Sequence, residues 1–185
     1  IPYDGYGTVS FDAVNGIILQ PKAATTPGET HAALALSKLT LQSPMTNFKV
    51  TVRVTTEQQL RTPTPNPWEC FWIFFNYTIG PNGKKITNYF TLKTNGIELG
   101  TAYDEVGQTF LVTNSTPTLK IGVANEIILT KLDQQLQITI DGKVALTYDG
   151  TTMPTPLINT AGSIGLYTED AKVRINAMSI EAHSL

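Results

Sequence analysis

The sequence predicts an all-β fold in which two antiparallel sheets pack face to face across residues 1–185. Three observations predict it. Charged residues are scarce at 15%, while threonine, glycine, proline and asparagine are abundant, a balance that suits strands and turns. Apolar residues recur with period two, most sharply in Phe48–Val54, where Phe48, Val50, Val52 and Val54 point one way and Lys49, Thr51 and Arg53 the other. No stretch has the length and period of an ordinary helix. A dozen or more short strands, each with a face to bury, are satisfied by two packed sheets.

Taken in order, Ile1 to Gly7 reads as a loop or an edge strand. Gly16–Leu19 is a short apolar strand closed by Gln20-Pro21, and Thr25–Gly28 is turn-like. Thr30–Leu36 alternates. Ala32, Leu34 and Leu36 make the larger apolar face; Ala33 and Ala35 make a small one, with His31 at its end and space above it. After Phe48–Val54, three prolines within Pro63–Pro67 stiffen the loop that presents Trp68 and Glu69. Trp68–Tyr77 follows as a strand with Trp68, Cys70, Trp72 and Phe74 on one side and Glu69, Phe71, Ile73 and Phe75 on the other. Both sides are apolar, so the strand is central. Gly80-Pro81-Asn82-Gly83 turns the chain into Asn88–Lys93. Gly107–Thr113 and Thr118–Ile121 are short strands. Glu126–Leu132 pairs with Leu136–Ile140, and Asp141-Gly142 is a two-residue hairpin signal leading to Lys143–Tyr148. Gly162–Tyr167 and Ala171–Ala182 close the chain.

The formal charge of −2 and the lack of a basic run speak against a nucleic-acid partner. No stretch approaches the roughly 20 apolar residues of a membrane span. The one cysteine, Cys70, excludes an internal disulfide and reads as a small core residue. Asn76-Tyr77-Thr78 and Asn114-Ser115-Thr116 match the N-glycosylation pattern, the second in a loop.

Asp133–Gly150 reads DQQLQITIDGKVALTYDG, and Ala161–Ala182 reads AGSIGLYTEDAKVRINAMSIEA. A D-G hairpin, then G-x-I-G-L, then an alternating strand resembles the closing strands of concanavalin A-like lectin/glucanase jelly rolls. The likeness is to the family 16-like glycoside hydrolase and keto-disaccharide hydrolase-like group. Asn66-Pro67-Trp68-Glu69 and Lys93–Gly100 (KTNGIELG) resemble secreted members of that group, so the resemblance runs from about Glu29 onward. It implies a single secreted jelly-roll domain that binds or cleaves an extracellular polysaccharide in a concave-sheet groove. It also implies one structural calcium ion, for which Asp4, Asp12 and Asn176 offer side-chain oxygens.

The E-x-D-x-x-E run of laminarinase-type members is missing, so the chemistry has to be assigned from other residues. Glu69 and Glu98 are the candidate acid/base pair, with Arg61 and Lys93 orienting the substrate and Trp68 stacking on a sugar. Glycosidase carboxyls stand ~5–5.5 Å or ~6.5–9.5 Å apart. The bland alternative for Glu69 is an ion pair with Arg53 or Arg61. In a uronate lyase, His31 or Tyr89 takes a proton while a cation neutralises the substrate carboxylate. Two readings need no turnover: a carbohydrate-binding module, or a homo-oligomeric subunit of an extracellular filament joined by strand exchange.

Overall fold

A computed structural model describes residues 2–3, 7–104 and 107–183. Its strands are β1 (Pro2–Tyr3), β2 (Gly7–Asp12), β3 (Gly16–Pro21), β4 (Ala32–Leu36), β5 (Phe48–Gln59), β6 (Phe71–Ile79) and β7 (Lys85–Lys93). They continue as β8 (Gly96–Tyr103), β9 (Gly107–Asn114), β10 (Ala124–Leu132), β11 (Gln135–Ile140), β12 (Lys143–Asp149), β13 (Ser163–Glu169) and β14 (Ala171–Ala182). One short helix, α1 (Lys38–Gln42), is capped by the Ser37 hydroxyl. Among the described residues no helix is long and apolar enough to cross a membrane.

The front sheet has seven strands in the order β1-β4-β13-β6-β7-β8-β9, and the back sheet seven in the order β12-β11-β10-β5-β14-β3-β2. Every pairing is antiparallel. The all-β two-sheet expectation therefore holds. The core lies between the sheets. Phe48, Val50, Val52 and Val54 fill it from β5, and Phe71, Ile73, Phe75, Phe90 and Leu99 from the front sheet. β6 is the fourth of the seven front strands, which is why both of its faces are apolar. The Asp141-Gly142 turn has both residues at positive φ, 50° and 77°, as a tight primed hairpin requires.

Three local expectations are corrected. β6 begins at Phe71; Trp68 and Glu69 precede it in a turn closed by the Glu69 N–H on the Asn66 carbonyl, 3.2 Å. The proline-rich approach cannot join a ladder, so the strand starts late. Thr118–Ile121 is not a strand: Leu119 N–H reaches the Lys93 carbonyl at 2.8 Å, and the chain then turns at Gly122 with φ 79°. On β4 it is the small face, Ala33 and Ala35, that meets the core, so the space above it is filled by the other sheet. Leu34 and Leu36 point outward. Of the two glycosylation matches, Asn76 is buried and its amide donates to the Met45 and Thr160 carbonyls, at 3.1 and 2.8 Å. Asn114 is exposed at the end of β9.

Several connections cross between the sheets at one end. β3–β4, β5–β6 and β13–β14 all do so. The last crosses on a single residue, Asp170, held at φ 42°, a left-handed conformation that aspartate tolerates better than most residues.

Candidate functional site

The register of the front sheet lays two rows of side chains across its outer face. One runs Leu34, Tyr167, Trp72, Thr91, Glu98, Thr113; the next runs Leu36, Gly165, Phe74, Tyr89, Gly100, Phe110. The rings touch in sequence. Phe74 stacks on Tyr167 at 4.5 Å, Tyr167 meets Trp72 edge-on at 6.2 Å, and Trp72 lies 4.9 Å from Tyr89. Gly100 makes room for the Tyr89 ring: a Cβ there would stand 2.4 Å from the Tyr89 hydroxyl.

This face has a closed half and an open half. In the closed half Glu98 accepts from the Tyr89 hydroxyl at 2.9 Å and from the Lys93 ammonium at 2.6 Å. Lys93 and Glu98 are each only 7% exposed. Burial, then the Glu98 carboxylate, raises the Tyr89 hydroxyl far above its ordinary value. Nearby, the Tyr167 hydroxyl donates to Glu169 at 2.9 Å. Burial raises both members of that pair, so the tyrosine stays a phenol. Cys70 sits among them, its sulfur 3.1 Å from the Thr91 hydroxyl, and burial pushes its thiol up to about 12. The thiol is therefore expected to ignore a disulfide reagent at pH 8 in the native protein and to react at once in guanidinium; fast native labelling would show that this half opens.

The open half is a trough of about 510 Å³. Phe74 and Tyr167, both half-buried, lie in its lining with Leu34 and Leu36. Thr87, Gln108, Lys85 and Asp104 supply its polar groups.

Arg61, Glu69 and His31 lie elsewhere, at the crossover end. Glu69 is fully buried, and its Oε1 accepts from Arg61 Nε and, at 2.9 Å, from the Asn66 amide. Its Oε2 has no partner. Arg61 also donates to Asp170 at 2.9 Å and to the Thr26 and Glu29 carbonyls at 3.0 and 2.7 Å. One guanidinium thus ties together the β3–β4, β5–β6 and β13–β14 crossings. Hydrogen bonding to Glu69 holds it fully charged. His31 donates its backbone N–H to Asp170 at 3.1 Å, and its ring lies 3.3 Å from Glu29 Oε1 and 3.2 Å from the Lys22 carbonyl.

The sequence candidates therefore divide into groups. Tyr89, Lys93 and Glu98 come together on the outer face. Arg61, Glu69 and His31 come together around Asp170. Trp68 is 44% exposed in a separate cleft. Glu69 and Glu98 are taken up by different partners, and the Glu69 pairing follows the ion-pair alternative, with Arg61 rather than Arg53. Sequence reading missed Tyr167, Glu169 and Asp170. Period two from Gly165 puts Tyr167 and Glu169 on one face, but nothing in the chain says that this strand lies beside β6.

Of the calcium ligands the resemblance implied, Asp4 lies outside the described residues. Asp12 Oδ1 accepts the Val14 and Asn15 N–H groups at 2.7 and 2.9 Å, and Asn176 accepts from Thr55 at 3.4 Å. One carboxylate closing its own turn and one amide do not by themselves compose a calcium cage of six to eight oxygens.

Solved structures share this architecture. The carbohydrate-binding module CBM66 from Bacillus subtilis matches 98% of this chain and 95% of its own, with a TM-score of 0.63 at 10% identity. The fold is a lectin/glucanase-type jelly roll. Sheep galectin-11 shares the jelly roll over 80% of this chain and 95% of its own, with a TM-score of 0.53 at 14% identity. So does the Crh5 transglycosylase solved in complex with NAG, over 99% and 79%, with a TM-score of 0.53 at 12% identity. No protein-family model and no curated protein matches the sequence. At these identities the likeness is one of backbone, and the jelly roll's trough is built from this chain's own side chains.

Proposed function

We propose that the trough on the outer face of the front sheet binds a glycan, outside the cell, without cleaving it. The observation that carries this reading is the stacked Phe74–Tyr167 pair, half-buried in a trough with a few polar groups in its lining. Aromatic rings offer an apolar platform to the C–H face of a sugar, and sparse polar groups fix its orientation. Lys85 and Asp104 bring opposite charges to the same trough, which favours a neutral saccharide over a polyanion. The state of the acids argues against turnover. Glu69 is enclosed with Arg61, and Glu98 is held by Lys93 and Tyr89. Neither stands ready as one of two facing carboxyls. The likeness to a carbohydrate-binding module and to galectins agrees with binding.

Calorimetry against a panel of neutral and uronic-acid polysaccharides tests this, run beside assays for new reducing ends and for unsaturated uronates. Binding without turnover is expected. Phe74→Ala should weaken it at least about tenfold, with Tyr167→Phe, which keeps the stack, close to wild type. Turnover of any substrate, or binding indifferent to Phe74, would overturn the proposal.

A further inference from the structure

We propose a second saccharide subsite in the loop cleft that carries Trp68. The cleft has a volume of about 430 Å³ and shares no lining residue with the trough. Its walls are the β3–β4 loop around Thr25–Thr30 and the β5–β6 loop from Arg61 to Trp68.

Three features make it a built site rather than a gap between loops. Both walls are fixed. Arg61 holds the Thr26 and Glu29 carbonyls, Thr62 N–H donates to the Ala24 carbonyl at 3.1 Å, and the Gln59 side chain donates to the Asn66 and Glu69 carbonyls at 2.8 and 3.1 Å. Trp68 is anchored by its backbone: its carbonyl accepts the Trp72 indole N–H at 2.9 Å, while its own indole is 44% exposed. A fixed aromatic platform loses little entropy on binding.

The charges of the cleft are also spent. The Arg61 guanidinium serves Glu69, Asp170, Thr26 and Glu29. Glu29 Oε2 accepts from the Thr25 and Thr26 N–H groups at 2.8 and 3.2 Å, and its Oε1 faces the His31 ring. What remains for a ligand is an indole face, the hydroxyls of Thr30, Thr62 and Thr64, and the Asn66 amide oxygen. That is the surface of a neutral sugar's partner: one apolar platform and several neutral hydrogen-bonding groups, with the two charges of the lining already engaged by other groups.

Trp68 also reports on its own cleft, because Trp72 is only 3% exposed. Acrylamide quenching of tryptophan fluorescence is followed while neutral gluco-, galacto-, manno-, xylo- and fructo-oligosaccharides are titrated into wild type, Phe74→Ala and Trp68→Leu. A saccharide is expected to cut the quenching slope to below about half in wild type, since a stacked indole is shielded. It should do so equally in Phe74→Ala, and the effect should vanish in Trp68→Leu, with Trp68→Tyr melting as wild type and retaining calorimetric binding. No protection at millimolar saccharide, or protection that persists without Trp68, overturns the subsite. Protection that needs Phe74 does so too, because Trp68 would then only be responding to the trough. The trough reading fails separately, on calorimetry of Phe74→Ala.

Discussion

Arg61→Met is expected to lower the unfolding free energy by about 3–5 kcal/mol, a large part of what a domain of this size has. The substitution keeps the aliphatic stem and removes the charge. Glu69, fully buried, and Asp170, also fully buried, are then left with no cation between them. The Thr26 and Glu29 carbonyls lose their donors as well. The triple variant Arg61→Met, Glu69→Gln, Asp170→Asn should recover a good part of the loss, because it removes the stranded charges along with the ion pairs. Urea melts of the single and triple variants measure both. A single-variant loss below about 1 kcal/mol would mean that water reaches the cluster and screens it as it does surface pairs.

Glu98→Leu is the second large effect, about 3 kcal/mol by the same reasoning. It strands the Lys93 ammonium and deprives the Tyr89 hydroxyl of its acceptor. Pairing it with Lys93→Met should be much milder, since two apolar groups of similar size then replace the ion pair. Glycan affinity in Glu98→Gln, where the shape is kept, should change less than about twofold, because Glu98 does not line the trough. The opposite result is just as readable. A Glu98→Gln protein that melts like wild type yet loses turnover would make Glu98 the acid/base of an enzyme.

What could be read in the sequence was local. The alternation of Phe48–Val54 names its own buried face, and Asp141-Gly142 names its own turn. β6 declared its central position because both of its faces are apolar. The two-sheet architecture follows from many such short signals. The site was legible only in part. Tyr89, Lys93 and Glu98 lie on adjacent strands joined by a short turn, so their meeting was within reach of the chain's order. The partition of Glu69 from Glu98 was not. It depends on Asp170, which is 109 residues from Arg61 and sits at a crossing that no local pattern marks. Tyr167 was hidden for the same reason: its neighbour Trp72 comes from a strand far back in the chain.

The strand order also governs how the chain can be made. β13 lies between β4 and β6, and β14 lies between β5 and β3. Each sheet is therefore completed by a late segment inserted between early ones. At synthesis rates of roughly 5–20 residues per second, the edges of β4 and β6 wait several seconds for Ser163–Glu169 to emerge. Until then neither sheet can close, and its apolar strands are open to wrong pairing. Closing both sheets thus needs a segment that reaches from β2 through β14. Over that interval the emerging strands have to be shielded from one another or kept unpaired.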